Sequence, residues 1–420
     1  MYPIWIAVVG ALVTAPNLAF ISVDTLRADR LGFYGYERPT SPNLDRLAAE
    51  SLVFDDCLCE VPITNPSFGA MMTSQFPRTT GTTRNGLKMP EQVPTVAEQF
   101  QQAGYFTFCV QSNWTLKRKL SGLDRGFDVY DDDFHTRRWG VFKAERYADE
   151  VTRRAVKLLE HRDTSKPFFC WIHYSDPHAP YRFHRQFNSV GAPHRLRNHV
   201  DEVRMKYDSE VAFTDYHIGE LLKHLPKEDT YIVFVADHGE SLYEHDYLGH
   251  GRRIYHTELR IPLFIHGPDI TPRRTSVPAR GIDIGPTLLR LAKLSVPPSM
   301  LGLDLLSPEM PQERVRVLET YGGAVPHIPG ARSIMAARPP MRQGVVWNGW
   351  KLILGGPRAE LYHLADDPYE TKNLAKEQPN RVRELSKLIA DWDQRTPRGN
   401  AQEVELSPDD IDALKAGGYL

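Results

Sequence analysis

Carboxylate and imidazole side chains recur just past the ends of short apolar runs in this chain, and that combination could hold a metal ion. Asp24 follows Leu18–Val23, Asp176 and His178 follow Phe168–His173, and Asp237-His238 follows Tyr231–Ala236, with His250 shortly after. One aspartate after a strand is usually a turn or capping residue. Three such sets point to a shared site, because open α/β sheets gather ligands outside the carboxyl ends of their strands. Asp offers hard oxygen and His borderline nitrogen, a donor set that suits zinc or manganese better than calcium.

A hydroxyl that could use such a metal stands in Val61-Pro-Ile-Thr64-Asn-Pro66-Ser67, which opens a helix with Thr64 at or near the N-cap and Pro66 in the first turn. A threonine there can simply cap. It also feels the positive helix end and free N–H groups, which favour an alkoxide and the anionic ester it would attack. A metal on Asp24, Asp237 and His238, with Thr64 as a further ligand, would lower the hydroxyl's pKa. Ser67 reads as a helix-start residue.

Elements must bring these residues together. Short apolar runs alternate with amphipathic stretches, which predicts a mostly parallel sheet flanked by helices. Strands are expected at 18–23, 105–110, 168–173, 231–236 and 262–266, and helices at 43–50, 94–103, 145–161 and 202–224. In the last, Val203, Tyr207, Val211, Thr214, Ile218 and Leu221 are expected to line one face. After about residue 310 the texture changes. A hairpin over 344–354, turning at Asn348-Gly349, and a helix over 380–392 predict a small α+β subdomain. The expected division is 16–310 for the large α/β domain and 311–420 for the C-terminal part.

Composition narrows the function. The 420 residues carry a net charge of −2 with 41% apolar and 25% charged residues, so neither a nucleic-acid polymer nor an anionic membrane is an expected partner. Four cysteines are too few for a disulfide scaffold, and Cys57-x-Cys59 lacks both redox spacing and a second half for a zinc cage. Ile4–Ala15 is apolar but too short to span a bilayer, and ends in the small-x-small pattern Val13-Thr14-Ala15. Although no basic residue precedes it, export to the periplasm or exterior as a protein without a membrane-spanning segment is expected; retention of residues 1–15 would mean the cytoplasm.

Several blocks carry a resemblance. Asp24-Thr-Leu-Arg27-Ala-Asp29, Thr40-Ser-Pro-Asn-Leu-Asp-Arg-Leu-Ala48, Gly126-Phe-Asp128, Asp176-Pro-His178, Asp237-His-Gly-Glu-Ser241, Gly249-His-Gly251, Arg260-Ile-Pro262 and Glu360-Leu-Tyr-His-Leu stand in order. In that order they resemble the sulfatase branch of the alkaline-phosphatase superfamily over nearly the whole chain. The resemblance implies that fold, a divalent metal and hydrolysis of a small-molecule or glycan ester; self-association is left open.

The departures decide the expected chemistry. Sulfatases carry Cys or Ser in C/S-x-P-x-R, which becomes formylglycine; here the window reads Thr64-Asn65-Pro66-Ser67-Phe68. Threonine cannot give formylglycine, and the supporting arginine is Phe68. Thr25 replaces an aspartate that many sulfatases use for calcium. Position 64 therefore resembles the threonine of the superfamily's phosphodiesterases, in which an asparagine shares the substrate phosphate; Asn85 resembles it in spacing, and is otherwise a turn residue before Gly86. Those relatives hold a second metal with one Asp and two His, a part that Asp176, His178 and His250 could play, with His245 and His256 as neighbouring alternatives. Otherwise His178 or His250 assists the leaving group. The expected function is metal-dependent cleavage of phosphate diesters or phosphonate monoesters. Sulfate-ester hydrolysis, phosphoethanolamine-type transfer and a silent glycan-binding protein are the alternatives.

Overall fold

Strand β1 (Asn17–Val23) is buried at every position, as its nearly unbroken apolar run requires, and lies inside an eight-stranded sheet. The computed structural model describes residues 15–133, 137–138, 141–142, 146–190, 198–322 and 340–416. Residues 1–14 of the expected export signal, and parts of the loops between 182 and 200 and between 320 and 345, lie outside the described residues. The other strands of the sheet are β2 (Leu52–Phe54), β3 (Phe106–Val110), β4 (Val129–Asp131), β5 (Phe168–Tyr174), β6 (Thr230–Ala236), β7 (Leu263–His266) and β8 (Arg273–Thr275). Their order is β8-β2-β7-β6-β1-β5-β3-β4. Neighbours are parallel except for the two pairs made by β7. Seven strands therefore end at one edge.

The helices that frame the sheets include α1 (Pro42–Ala49), α2 (Thr64–Thr73), α3 (Val96–Gln102), α4 (Ala148–His161), α5 (His199–Leu222), α6 (His256–Leu259), α7 (Ile284–Leu291) and α8 (Pro379–Arg395). α5 packs against α1 and α4, while α2 and α3 pack against α7. The one-face reading of α5 falls short: every residue from Tyr207 to Asp215 is buried. Its inward polar groups each meet a partner. Asp208 pairs with Arg30 and Arg38, and Asp215 accepts the first N–H groups of α1, from Asn43 at 3.1 Å and Leu44 at 2.8 Å. A carboxylate beside a helix N-terminus satisfies donors that have no intrahelical acceptor.

A four-stranded antiparallel sheet follows the large sheet in the chain, made of β9 (Arg316–Thr320), β10 (Arg342–Trp347), β11 (Trp350–Leu354) and β12 (Glu360–His363). The β10–β11 turn has positive φ at both Asn348 and Gly349, the two-residue geometry that Asn-Gly favours. Val345, Leu352 and Leu361 pack with Leu385 and Ile389 of α8. All four cysteines are free and buried. No helix among the described residues is long and apolar enough to cross a membrane.

Candidate active site and metal centre

Strand register brings two acidic residues together. Val23 pairs with Ala236 across the parallel β1–β6 ladder, so Asp24 and Asp237 emerge side by side at the carboxyl edge. With His238 they form the one group, among the described residues, whose ligand atoms all lie within 4.8 Å of one another. His238 Nε2 is 3.4 Å from Asp237 Oδ2 and 3.8 Å from Asp24 Oδ1. Its Nδ1 lies 2.9 Å from the Gly239 carbonyl, which can only accept, so the proton sits on Nδ1 and Nε2 offers a lone pair.

The oxygens divide in the same way. Asp237 Oδ1 accepts the N–H groups of Thr25 and His238, and Asp24 Oδ2 accepts from the Asn113 amide. Asp237 Oδ2 and Asp24 Oδ1 have no hydrogen-bond partner although both residues are fully buried. Burial raises both carboxyl pKa values, Asp237 well above the usual range with Asp24 adding to it; burial, then the neighbouring His250, pushes His238 down. Two unpartnered carboxylate oxygens and a bare imidazole nitrogen fit a divalent cation. Thr25 takes φ 54°, costly for a β-branched residue, and its N–H meets Asp237 there.

Thr64 joins this group. Its Oγ1 is 3.4 Å from His238 Nε2, and the residue is fully buried. The N-cap is Ile63 in an extended conformation, so Thr64 is the first helical residue rather than the cap and makes no side-chain capping bond. Its hydroxyl is thereby left for other chemistry. Ser67, one turn on, donates to the Asp237 carbonyl at 2.7 Å and ties α2 to the end of β6. Asn65 N–H donates to Asn85 Oδ1 at 3.0 Å, and Asn85 Nδ2 is buried without a partner. Phe68 packs edge-on against His173, ring centroids 4.8 Å apart.

Among the described residues, Asp176, His178 and His250 do not draw their ligand atoms together as the first group does. Asp176 Oδ1 accepts Ala148 N–H at the start of α4, at 3.1 Å, where the first turn of that helix needs an acceptor. His178 and His250 do stand by the first group: their rings are 5.2 Å apart, His250 is 4.4 Å from the His238 ring, and charge on either would lower the Asp24 pKa. His245 contacts Tyr369 O and stacks on Tyr255, and His256 meets Lys351. Arg27 pairs with Asp29 and also reaches Glu244.

Three residues escaped the sequence reading. Asn113 holds Asp24, Glu240 holds His250 Nδ1 at 3.1 Å, and His173 stands 3.9 Å from Asp24 Oδ2, burial lowering its pKa to about 3. Asn113 lies just beyond β3, so the strand-end rule that found Asp24 could have found it.

The sulfatase family model matches residues 16–294. The choline-sulfatase of Rhizobium meliloti is 27% identical over 486 residues, spanning 96% of this chain and 92% of its own. The ulvan-active sulfatase of Formosa agariphila is 26% identical over 363 residues, 75% of this chain and 70% of its own. The phosphonate monoester hydrolase of Agrobacterium radiobacter shares the fold, with a TM-score of 0.75 at 17% identity over 91% of this chain and 96% of that one.

Proposed function

This chain is a hydrolase of the sulfatase family, and on that premise we propose that it cleaves phosphate diesters or phosphonate monoesters with Thr64 as its nucleophile. The observation that carries the reading is the Thr64 hydroxyl, 3.4 Å from His238 Nε2 at the first position of a buried helix. Threonine cannot be converted to formylglycine, and Phe68, packed on His173, offers no cation to support one.

Asp24, Asp237 and His238 would hold the divalent cation, manganese or zinc by their mixed oxygen and nitrogen donors. When bound, the ion supplies Lewis acidity that lowers the Thr64 pKa and offsets charge on the ester. The remaining work falls to side chains. Thr64 Oγ1 loses its proton to solvent and attacks phosphorus in line; the bond to the leaving oxygen breaks as the Oγ1–phosphorus bond forms. The Asn85 Nδ2 donor, without a protein partner, binds an ester oxygen where charge accumulates. His178 or His250 gives a proton to the departing oxygen, and water then cleaves the phospho-threonine.

Sulfate esters are the second reading, favoured by the named activities of the choline- and ulvan-active relatives. The deciding experiment compares bis-aryl phosphate, aryl phosphonate, aryl phosphate and aryl sulfate after metal stripping and re-addition of manganese, zinc or calcium. We expect the diester or phosphonate to lead, with manganese or zinc. Preference for the sulfate would reverse the ranking, and glycan binding without turnover of any ester would favour a silent binding protein.

A further inference from the structure

After α8 the chain runs back to the large domain and meets both loops that carry asparagines of the candidate active site. Gly399 N–H donates to the Arg78 carbonyl at 2.8 Å, an approach so close that a Cβ on Gly399 would collide with the Thr79 carbonyl. Gln402 and Glu403 then pair antiparallel with Lys88 and Leu87, just past Asn85. A last helix, Pro408–Ala416, follows. Its start is closed by a reciprocal cap: the Ser407 hydroxyl and N–H donate to Asp410 Oδ2 at 2.7 and 2.8 Å.

That helix seats on the turn behind Asp24. Trp114 Nε1 donates to Asp410 Oδ1 at 3.3 Å, and Lys119 pairs with Asp410 Oδ2 at 2.6 Å. Ala413 and Leu414, both fully buried, pack with Trp114 and Leu120. Trp114 follows Asn113, whose contacts leave its side chain one orientation. Asn113 Oδ1 accepts from the Thr115 N–H at 2.9 Å and the Thr115 hydroxyl at 2.8 Å, so Nδ2 turns to Asp24 Oδ2 and donates to it. That bond leaves Asp24 Oδ1 for a cation. The turn itself, Trp114–Leu116, is a single 3₁₀ turn, which holds its shape weakly without outside support.

We propose that residues 399–416 form a positioning strap: through Asp410 and Leu414 they grip Trp114, fix the turn that keeps the Asn113 amide on Asp24, and so set how tightly Asp24, Asp237 and His238 hold a metal. The inference rests on that metal centre and not on the nucleophile assigned to Thr64. A group that hydrogen-bonds a metal-binding carboxylate orients it, and its loss typically weakens metal binding by about ten- to a hundredfold. A grip one step further out acts through that group and costs less. The pairing at Gln402–Glu403 and the close approach at Gly399 tie down the other end of the strap, so the last helix is held at both ends.

The test titrates zinc into the metal-free full-length protein against a chelating indicator, with melting temperatures recorded alongside. We expect Asn113→Ala to weaken zinc binding by about tenfold or more, and Asp410→Ala and Leu414→Ala by about fivefold each. In the Asn113→Ala background each strap substitution should cost less than about twofold more, because the strap then has no amide left to position. Leu385→Ala, which opens the core of the C-terminal sheet instead, should lower the melting temperature and keep the wild-type zinc affinity. Wild-type affinity in both strap variants, an equal loss with and without Asn113, or an equal loss in Leu385→Ala would overturn the proposal. Failure of the ester assignment would appear in the substrate comparison and leave these affinities as they are.

Discussion

Asn85 turns its side-chain carbonyl to the Asn65 N–H at 3.0 Å, and that contact fixes which way its amide nitrogen faces. Two donors cannot bond to each other, so the Nδ2 group is left for a ligand oxygen next to the start of α2. The free N–H of a helix start thus orients a second donor beside Thr64.

Asn85→Ala should lower kcat/KM for the best ester by on the order of 10² to 10³, the usual cost of one donor to a developing negative charge. Asn85→Asp should be worse, because its carboxylate keeps the Asn65 contact but repels the ester. Steady-state kinetics on folded variants checks both; a loss under about threefold for the alanine variant removes Asn85 from the reaction.

Thr64→Ala should cost on the order of 10⁴ in kcat, whereas Thr64→Ser, which keeps the hydroxyl, should stay within about tenfold. Rapid quenching of the wild type followed by intact mass measurement should show a phosphorylated protein that Thr64→Ala lacks. Near-wild-type turnover by the alanine variant would exclude threonine as nucleophile.

Metal removal should expose the strain between Asp24 and Asp237. Burial raises both pKa values, so their ionisation disfavours the metal-free fold increasingly as pH rises through those raised values. Metal-free Asp237→Asn should therefore melt about 3–6 °C above metal-free wild type at pH 8, and the gap should shrink on acidification. Manganese or zinc should raise the wild-type melting temperature and leave the variant nearly unchanged. Coincident melting curves for the two metal-free proteins would show that no such strain exists.

Asp215 provides a pH signature away from the metal. Burial, set against the Leu44 and Asn43 donors, raises its pKa to about 6. A raised carboxyl contributes stability that is full below its unfolded value near 4 and lost as pH climbs through about 6. From pH 7 down to pH 4, wild type should gain about 2 kcal/mol relative to Asp215→Asn. Urea titrations at the two pH values read the difference directly; a constant gap between the proteins would mean that Asp215 does not titrate in this range.

Much of the frame was legible locally. Apolar runs ending in Asp24 and Asp237 marked strands whose ends carry chemistry, because a buried parallel strand must be apolar along its length and may turn polar only where it leaves the sheet. Pro66, Asn348 and Gly349 marked a helix start and a hairpin for equally local reasons. Partnership across the fold was not legible. Asp176 has the residue type and strand-end position of a ligand, yet α4 arrives beside it and one of its oxygens accepts from that helix's first turn. Asn113 acquires its role only from the strand order that sets it beside Asp24, and Glu240 from the way its loop folds back on His250. Local dihedral preference and hydrophobic period are written into short stretches of chain, whereas the partner of a buried polar atom is set by which distant element packs against it.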